Sequence, residues 1–181
     1  MKGIVFNEFF SLVDEAFGAE VTEKIIVDAE LANDGAYTGV GNYDTAEMVR
    51  LVKCLHAETN VPVADLLQTF GKHLLGIFKA GHTAYFESCK SLFEFVRSVE
   101  DQIHVDVLKL YPDAELPHLT ATQVSSDELS LVYRSSRRMA DLAEGLLWGA
   151  IDHYGETIEL TRTELPDVDG DQCAQFTLVR R

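Results

Sequence analysis

The segment YRSSR at residues 133–137 combines two hydroxyl groups and a guanidinium within five positions. Tyr133, Ser135 and Arg137 alternate, so on a strand all three side chains lie on one face. Two further arginines lie within three residues of Arg137, in a chain with 15 Lys and Arg against 30 Asp and Glu. Arginine can bind a carboxylate or phosphate through two parallel hydrogen bonds, so this cluster favours a site for an anionic group.

A second interpretation of the cluster is structural. Ser135 or Ser136 is a suitable N-cap for a helix that starts near residue 137, with the arginines in solvent. Arginine near a helix N-terminus is unfavourable against the helix dipole, which weakens this alternative. The residues alone leave both interpretations open.

His104 is the next candidate, because helical spacing places Val107, Leu108 and Tyr111 on its side. A buried neutral imidazole can bind iron or zinc, although such a histidine is more often a hydrogen-bonded core residue. The other five histidines form no HxxxH or HExxH pair, so no zinc site is visible at the usual spacing.

Other motifs favour structural roles. The turn DVDGD at residues 167–171 lacks the remaining ligands of a calcium loop and is expected to be a hairpin turn. Gly145 and Gly149 have GxxxG spacing, which permits close packing against the sheet or a flat ligand. The chain contains no glycine-rich phosphate loop and no GxSxG elbow, so nothing demands an enzyme.

Composition restricts the class of protein further. The formal net charge of −15 argues against binding to nucleic acid or to an anionic membrane. No run of apolar residues is long enough to span a bilayer, and the first residues lack a signal-peptide pattern. Cys54, Cys89 and Cys173 are widely spaced, which indicates free thiols in a reducing compartment. We therefore expect a cytoplasmic protein.

The patterning predicts several helices, a hairpin, one helix and a second hairpin, which is an α+β fold. We expect a single domain over residues 1–181, with a helical lobe over 1–62 and an α+β lobe over 63–181. The predicted helices cover about 3–17, 19–31, 44 to at least 55, 62–81, 91–111 and 137–154. Asp44 with Glu47 and Ser91 with Glu94 have capping-box spacing, which indicates two of the helix starts. The predicted strands cover about 118–124, 129–133, 157–164 and 172–179, and together they form a four-stranded antiparallel sheet.

Four segments together resemble one family. The opening MKGIVFN, the segment KLYPDAELPHL after His104, the YRSSR segment and the following AEGLLWGA are similar to bacterial H-NOX (haem–nitric oxide/oxygen binding) domains. The likeness runs in order from residue 1 to the last strand. The Y-x-S-x-R pattern is specific when a histidine lies about thirty residues upstream and a proline lies between them. The chain resembles the stand-alone proteobacterial type, in particular its nitric oxide-selective members.

This resemblance implies a haem b between the two lobes. His104 would be the proximal iron ligand, Tyr133, Ser135 and Arg137 would hydrogen-bond the propionates, and Pro117 would press on the porphyrin. Val5 would lie near the porphyrin on its distal side. The apolar residues expected to complete the haem-binding set are Phe9, Leu74, Phe78, Leu142 and Leu146.

The resemblance also predicts which gas is bound. Oxygen-binding members use a distal tyrosine as hydrogen-bond donor, and the matching position here is Leu142. Phe9 and Leu74 match the supporting distal positions and also lack a donor, although His73 borders this apolar face. We expect a nitric oxide sensor that also binds carbon monoxide and excludes stable oxygen binding. Of the zinc-ligand pattern of some relatives only Cys173 is present, so no zinc is expected.

Signalling would act on a separate protein. Nitric oxide binding opposite His104 would weaken the Fe–His bond and shift the population between two states that a partner distinguishes. The resemblance suggests a sensor histidine kinase, or a cyclic-di-GMP synthase or phosphodiesterase, as this partner. One alternative is a haem-free interaction module of the same fold. Another is a haem enzyme of oxygenase or peroxidase type, but this needs a distal acid–base group that Leu142, Leu74 and Phe9 do not offer.

Overall fold

The computed structural model describes residues 1–181 and contains two compact units, Met1–Phe70 and Gly71–Arg181. The two units divide between Phe70 and Gly71, and the lobe boundary expected after residue 62 stays a prediction. The helices are α1 (Gly3–Phe17), α2 (Ala19–Asp28), α3 (Thr45–Thr59), α4 (Val63–Gly81), α5 (Thr83–Ser88), α6 (Leu92–Ser98), α7 (Val105–Leu110) and α8 (Ala140–Tyr154). The strands are β1 (His118–Gln123), β2 (Glu128–Ser135), β3 (Ile158–Val168) and β4 (Asp171–Arg180).

The first unit is helical, and the start of α1 is held by the loop that precedes α3. The backbone N–H groups of Gly3 and Ile4 donate to the carbonyls of Gly41 and Gly39, at 2.9 and 3.0 Å. A Cβ atom on Gly3 would collide with the carbonyl oxygen of Thr38, so this approach requires glycine. The largest fully buried side chains of the unit are Phe6, Phe9, Val13, Ile25, Met48, Leu51, Leu55 and Phe70.

Capping residues define several helix ends as the sequence predicted. The Asp44 carboxylate accepts the backbone N–H of Ala46 at 2.9 Å and starts α3. Ser91 accepts the N–H of Glu94 at 3.3 Å and starts α6. Helix α2 is shorter than predicted because Glu30 adopts a left-handed conformation with φ of 47°, which ends the helix.

The second unit is built on the predicted antiparallel sheet, whose strand order is β1-β2-β4-β3. Alternate residues of β2 are buried, as the pattern predicted. The α+β fold class with a four-stranded antiparallel sheet is thus confirmed. The core on this sheet includes Leu92, Phe93, Phe95, Val96, Leu129, Leu131, Leu147, Ala150, Ala174, Phe176 and Leu178.

Helices α4 and α8 pack with their backbones in close approach. A Cβ atom on Gly71 would collide with the carbonyl oxygen of Leu142, and one on Gly149 would lie 3.0 Å from the Leu75 side chain. The sequence predicted that the glycines of α8 face the sheet or a flat ligand. The observed neighbour is instead α4, because glycines on both helices allow this contact.

The single helix predicted over 91–111 is divided in the structure. Helix α6 passes into a π-helical segment, Val99–His104, and then into α7. The sequence also missed the short helix α5. None of the helices combines the length and apolar character that crossing a membrane requires.

Candidate functional site

Tyr133 and Ser135 lie at the end of β2 with their side chains on its buried face. Only 3% of Tyr133 and 6% of Ser135 is exposed. The Tyr133 hydroxyl accepts the backbone N–H of Met139 at 3.2 Å, and the Ser135 hydroxyl accepts that of Arg137 at 3.2 Å. Since each oxygen already accepts a backbone hydrogen bond, its own O–H remains to donate. The end of β2 therefore presents two oriented hydroxyl donors.

These hydroxyls also shape the turn between β2 and α8. Arg138 adopts a left-handed conformation with φ of 54°, so α8 begins at Ala140 rather than at the predicted residue 137. Gln172 Oε1 accepts the N–H of Ala140 at 3.2 Å. Neither Ser135 nor Ser136 caps α8, so the predicted capping role of these serines is wrong, although the Ser135 hydroxyl accepts a backbone N–H within the turn.

The structure separates the arginines that the sequence groups together. Arg134 pairs with Asp171 at 2.8 Å and with Asp169 at 3.0 Å, and Arg138 pairs with Asp167 at 2.7 Å. Hydrogen bonds to these aspartates raise the pKa of both arginines. The DVDGD segment is therefore a hairpin turn that also neutralises two arginines. This contradicts the expectation that all three arginines serve an anion.

Arg137 differs from its neighbours, because its guanidinium forms no ion pair and no hydrogen bond. Burial of the group lowers the pKa of Arg137 from its ordinary value. The attraction of the nearby Glu115 carboxylate only partly offsets this desolvation, and an anion supplied from outside would relieve the remaining cost. Arg137 and the two hydroxyls thus form a set of three donors with unused capacity.

His104 is the last residue of the π-helical segment, and its side chain is 14% exposed. Its Nδ1 lies 2.8 Å from Glu100 Oε2. The same oxygen accepts the backbone N–H of Leu119 at 3.3 Å, and Leu119 is paired with Tyr133 across β1 and β2. The sequence did not single out Glu100, although the i, i+4 spacing of Glu and His on a helix is a visible signal.

The other predicted residues lie on three elements. Pro117 is half-buried and directly precedes β1. Leu74 and Phe78 are one turn apart on α4, where Leu74 is buried, and Leu142 and Leu146 are one turn apart on α8 and half-buried. Val5 and Phe9 are in the first unit, on α1. Phe9 is 1% exposed and packs edge-to-face on Phe70, with ring centroids 5.2 Å apart.

The chain matches the family model described as Haem-NO-binding over residues 2–162. Its fold is similar to the crystal structure of the Fe(II) unliganded H-NOX protein from K. algicida, at 35% identity and a TM-score of 0.93, with 100% of this chain and 97% of that chain covered. The H-NOX protein from S. oneidensis in the Fe(II)NO ligation state matches at 27% identity and a TM-score of 0.89, with both chains fully covered. The chain therefore belongs to the H-NOX family of haem-based gas sensors.

A mutant H-NOX protein from T. tengcongensis shares the fold at 22% identity and a TM-score of 0.91, with 100% of this chain and 98% of that chain covered. The fold is therefore the same at this lower sequence identity.

The residues present fit a haem. Its two propionates need donors, and Tyr133, Ser135 and Arg137 have unused donors within one short segment. Its iron needs one imidazole from the protein, because the porphyrin supplies four nitrogen ligands. With Nδ1 of His104 against Glu100, the Nε2 atom is the one available to a metal. No group of three or more His, Cys, Asp and Glu side chains is arranged to hold a metal ion.

Proposed function

We propose that this chain binds haem b through His104 and senses nitric oxide for a separate partner protein. The observation that carries the proposal is the donor set of Tyr133, Ser135 and Arg137, in which a desolvated guanidinium and two buried hydroxyls lack acceptors. Two carboxylates at one edge of a flat apolar cofactor match this set. Membership of the H-NOX family supports the same cofactor.

Each residue has a distinct part in the proposal. When bound, ferrous haem would supply the iron to which nitric oxide and carbon monoxide bind, and His104 would hold that iron. Arg137 would donate charge-assisted hydrogen bonds to a propionate, each contributing about 1.5–3 kcal/mol. Tyr133 and Ser135 would donate from a rigid strand and so orient the cofactor. Pro117, next to β1, would help to hold it.

The apolar residues determine which gas is retained. A hydrogen-bond donor beside a ferrous haem stabilises bound oxygen, and the residues that the family resemblance assigns to the distal side, Leu142, Leu74 and Phe9, carry none. Nitric oxide needs no such donor. We therefore propose that the protein responds to nitric oxide in the presence of air.

The π-helical segment supports a role of His104 in signalling. Such segments are frequent at functional sites, and here one ends at His104. Release of the imidazole from iron would free this segment to rearrange and would shift the population between two states. A partner that prefers one state reads the signal, and we propose a sensor histidine kinase or a cyclic-di-GMP synthase or phosphodiesterase. The shift that nitric oxide causes cannot exceed the difference in its own binding free energies for the two states.

The test is an absorption spectrum of the reduced, haem-loaded protein, recorded first without oxygen, then in air and then with nitric oxide. We expect a Soret band that air leaves unchanged and that nitric oxide shifts to the blue. Absence of a Soret band after reconstitution with haem would reject the haem proposal. A shift in air would reject the selectivity only.

The variant Leu142→Tyr tests the basis of selectivity. Leu142 is half-buried in the first turn of α8, and a tyrosine there is expected to bring a hydroxyl donor into the pocket. We expect the Soret band of the reduced variant to shift when oxygen is added at a pressure above that of air. Leu142→Phe is the matched control, because it has the same ring without the hydroxyl. An identical response of the two variants would refute the donor argument.

A further inference from the structure

Glu100 contacts three groups from two elements. Its Oε2 atom lies 2.8 Å from His104 Nδ1 and also accepts the backbone N–H of Leu119 at 3.3 Å. Its Oε1 atom lies 3.8 Å from Nδ1 of His118. The carboxylate is 35% exposed, so it is partly shielded from water. One side chain therefore joins the π-helical segment to the start of β1.

We propose that Glu100 is a positioning residue that holds His104 in its Nδ1–H tautomer and strengthens its bond to iron. The inference rests on the proposed role of His104 as iron ligand. A carboxylate that accepts from Nδ1–H leaves the lone pair of Nε2 for the metal, and it fixes the orientation of the ring.

Two hydrogen bonds hold the Glu100 carboxylate in one orientation. Because Oε2 is shared between His104 and the backbone of Leu119, rotation of the carboxylate away from the imidazole would break two hydrogen bonds. The ring is thereby fixed relative to β1, whose Leu119 pairs with Tyr133 of the donor set. Glu100 would consequently set how firmly His104 holds the iron in the presence of nitric oxide.

The variant Glu100→Gln tests the charge while keeping the size and one acceptor oxygen. We expect a lower Fe–His stretching frequency in the resonance Raman spectrum of the reduced protein. We also expect about tenfold faster loss of haem to an acceptor protein, since loss of an outer-shell partner costs about 10- to 100-fold in metal affinity. With nitric oxide, a larger share of the protein should lose the His104 bond.

The control is Asp101→Asn, which removes the same charge from the exposed neighbouring residue. We expect it to leave the Fe–His frequency unchanged. An Fe–His band that is present in the unmodified protein but unshifted in Glu100→Gln, or equally shifted in Asp101→Asn, would overturn the role of Glu100 and leave haem ligation intact. Absence of an Fe–His band from the unmodified protein would overturn both proposals.

Discussion

Replacement of His104 by alanine is expected to remove haem from the purified protein, and added imidazole is expected to restore it. His104 is the single protein ligand in the proposal, so its removal should cost more than the about 10- to 100-fold expected for an outer-shell partner. A free imidazole can occupy the space that the side chain leaves and offer the same nitrogen to iron. The measurement is the ratio of Soret to protein absorbance, with and without imidazole.

The control for this variant is His82→Ala, because His82 is exposed. Circular dichroism should show that both variants retain the helical content of the unmodified protein. Glu100 keeps its hydrogen bond to the Leu119 backbone after the substitution, so the start of β1 stays anchored. Unchanged haem content and spectrum in His104→Ala without imidazole would show that another group holds the iron.

Local sequence signals predicted most of the fold. The Asp44 and Ser91 caps depend only on a side chain and a backbone N–H two or three residues away, so spacing is sufficient to find them. The buried face of β2 follows from strict alternation, and alternation alone is sufficient to place Tyr133 and Ser135 on the same side of the strand.

Features that depend on distant parts of the chain were not predicted. The sequence grouped Arg134 and Arg138 with Arg137, and only the position of the hairpin turn shows that Arg134 and Arg138 are neutralised by aspartates 29 to 37 residues later. The start of α8 was missed for a similar reason. Gln172 from β4 and the hydroxyl of Tyr133 accept the first N–H groups, and no local motif encodes this.

The π-helical segment was predicted only in part. Its residues have ordinary helical periodicity, so the sequence indicated one continuous helix. The contact between Glu100 and Leu119 connects this segment to β1, and it depends on a tertiary approach that neither segment encodes by itself. His104 was singled out as the candidate iron ligand from its apolar surroundings and from the family resemblance, and this role stays a proposal.

Replacement of Arg137 by methionine is expected to lower haem affinity while leaving the haem-free protein at least as stable. In the haem-free chain the guanidinium forms no ion pair or hydrogen bond, and its desolvation outweighs the attraction of nearby Glu115. Its removal therefore ends a desolvation cost, and the methionine keeps much of the apolar stem. With haem present the same change removes a charge-assisted hydrogen bond of about 1.5–3 kcal/mol, which corresponds to an affinity about 10- to 100-fold lower. The measurements are thermal unfolding without haem and the rate of haem transfer to an acceptor protein.

Arg138→Met is the matched control, because Arg138 is the next residue and pairs with Asp167 at the surface. Its loss should weaken the haem-free protein slightly and leave the haem transfer rate unchanged, which is the opposite pattern. The contrasting effects on haem-free stability and on haem transfer would distinguish Arg137, which binds a ligand in the proposal, from Arg138, which stabilises the fold. Equal effects of the two substitutions on haem transfer would show that the cluster acts through its overall charge, and the assignment of Arg137 to a propionate would then fail.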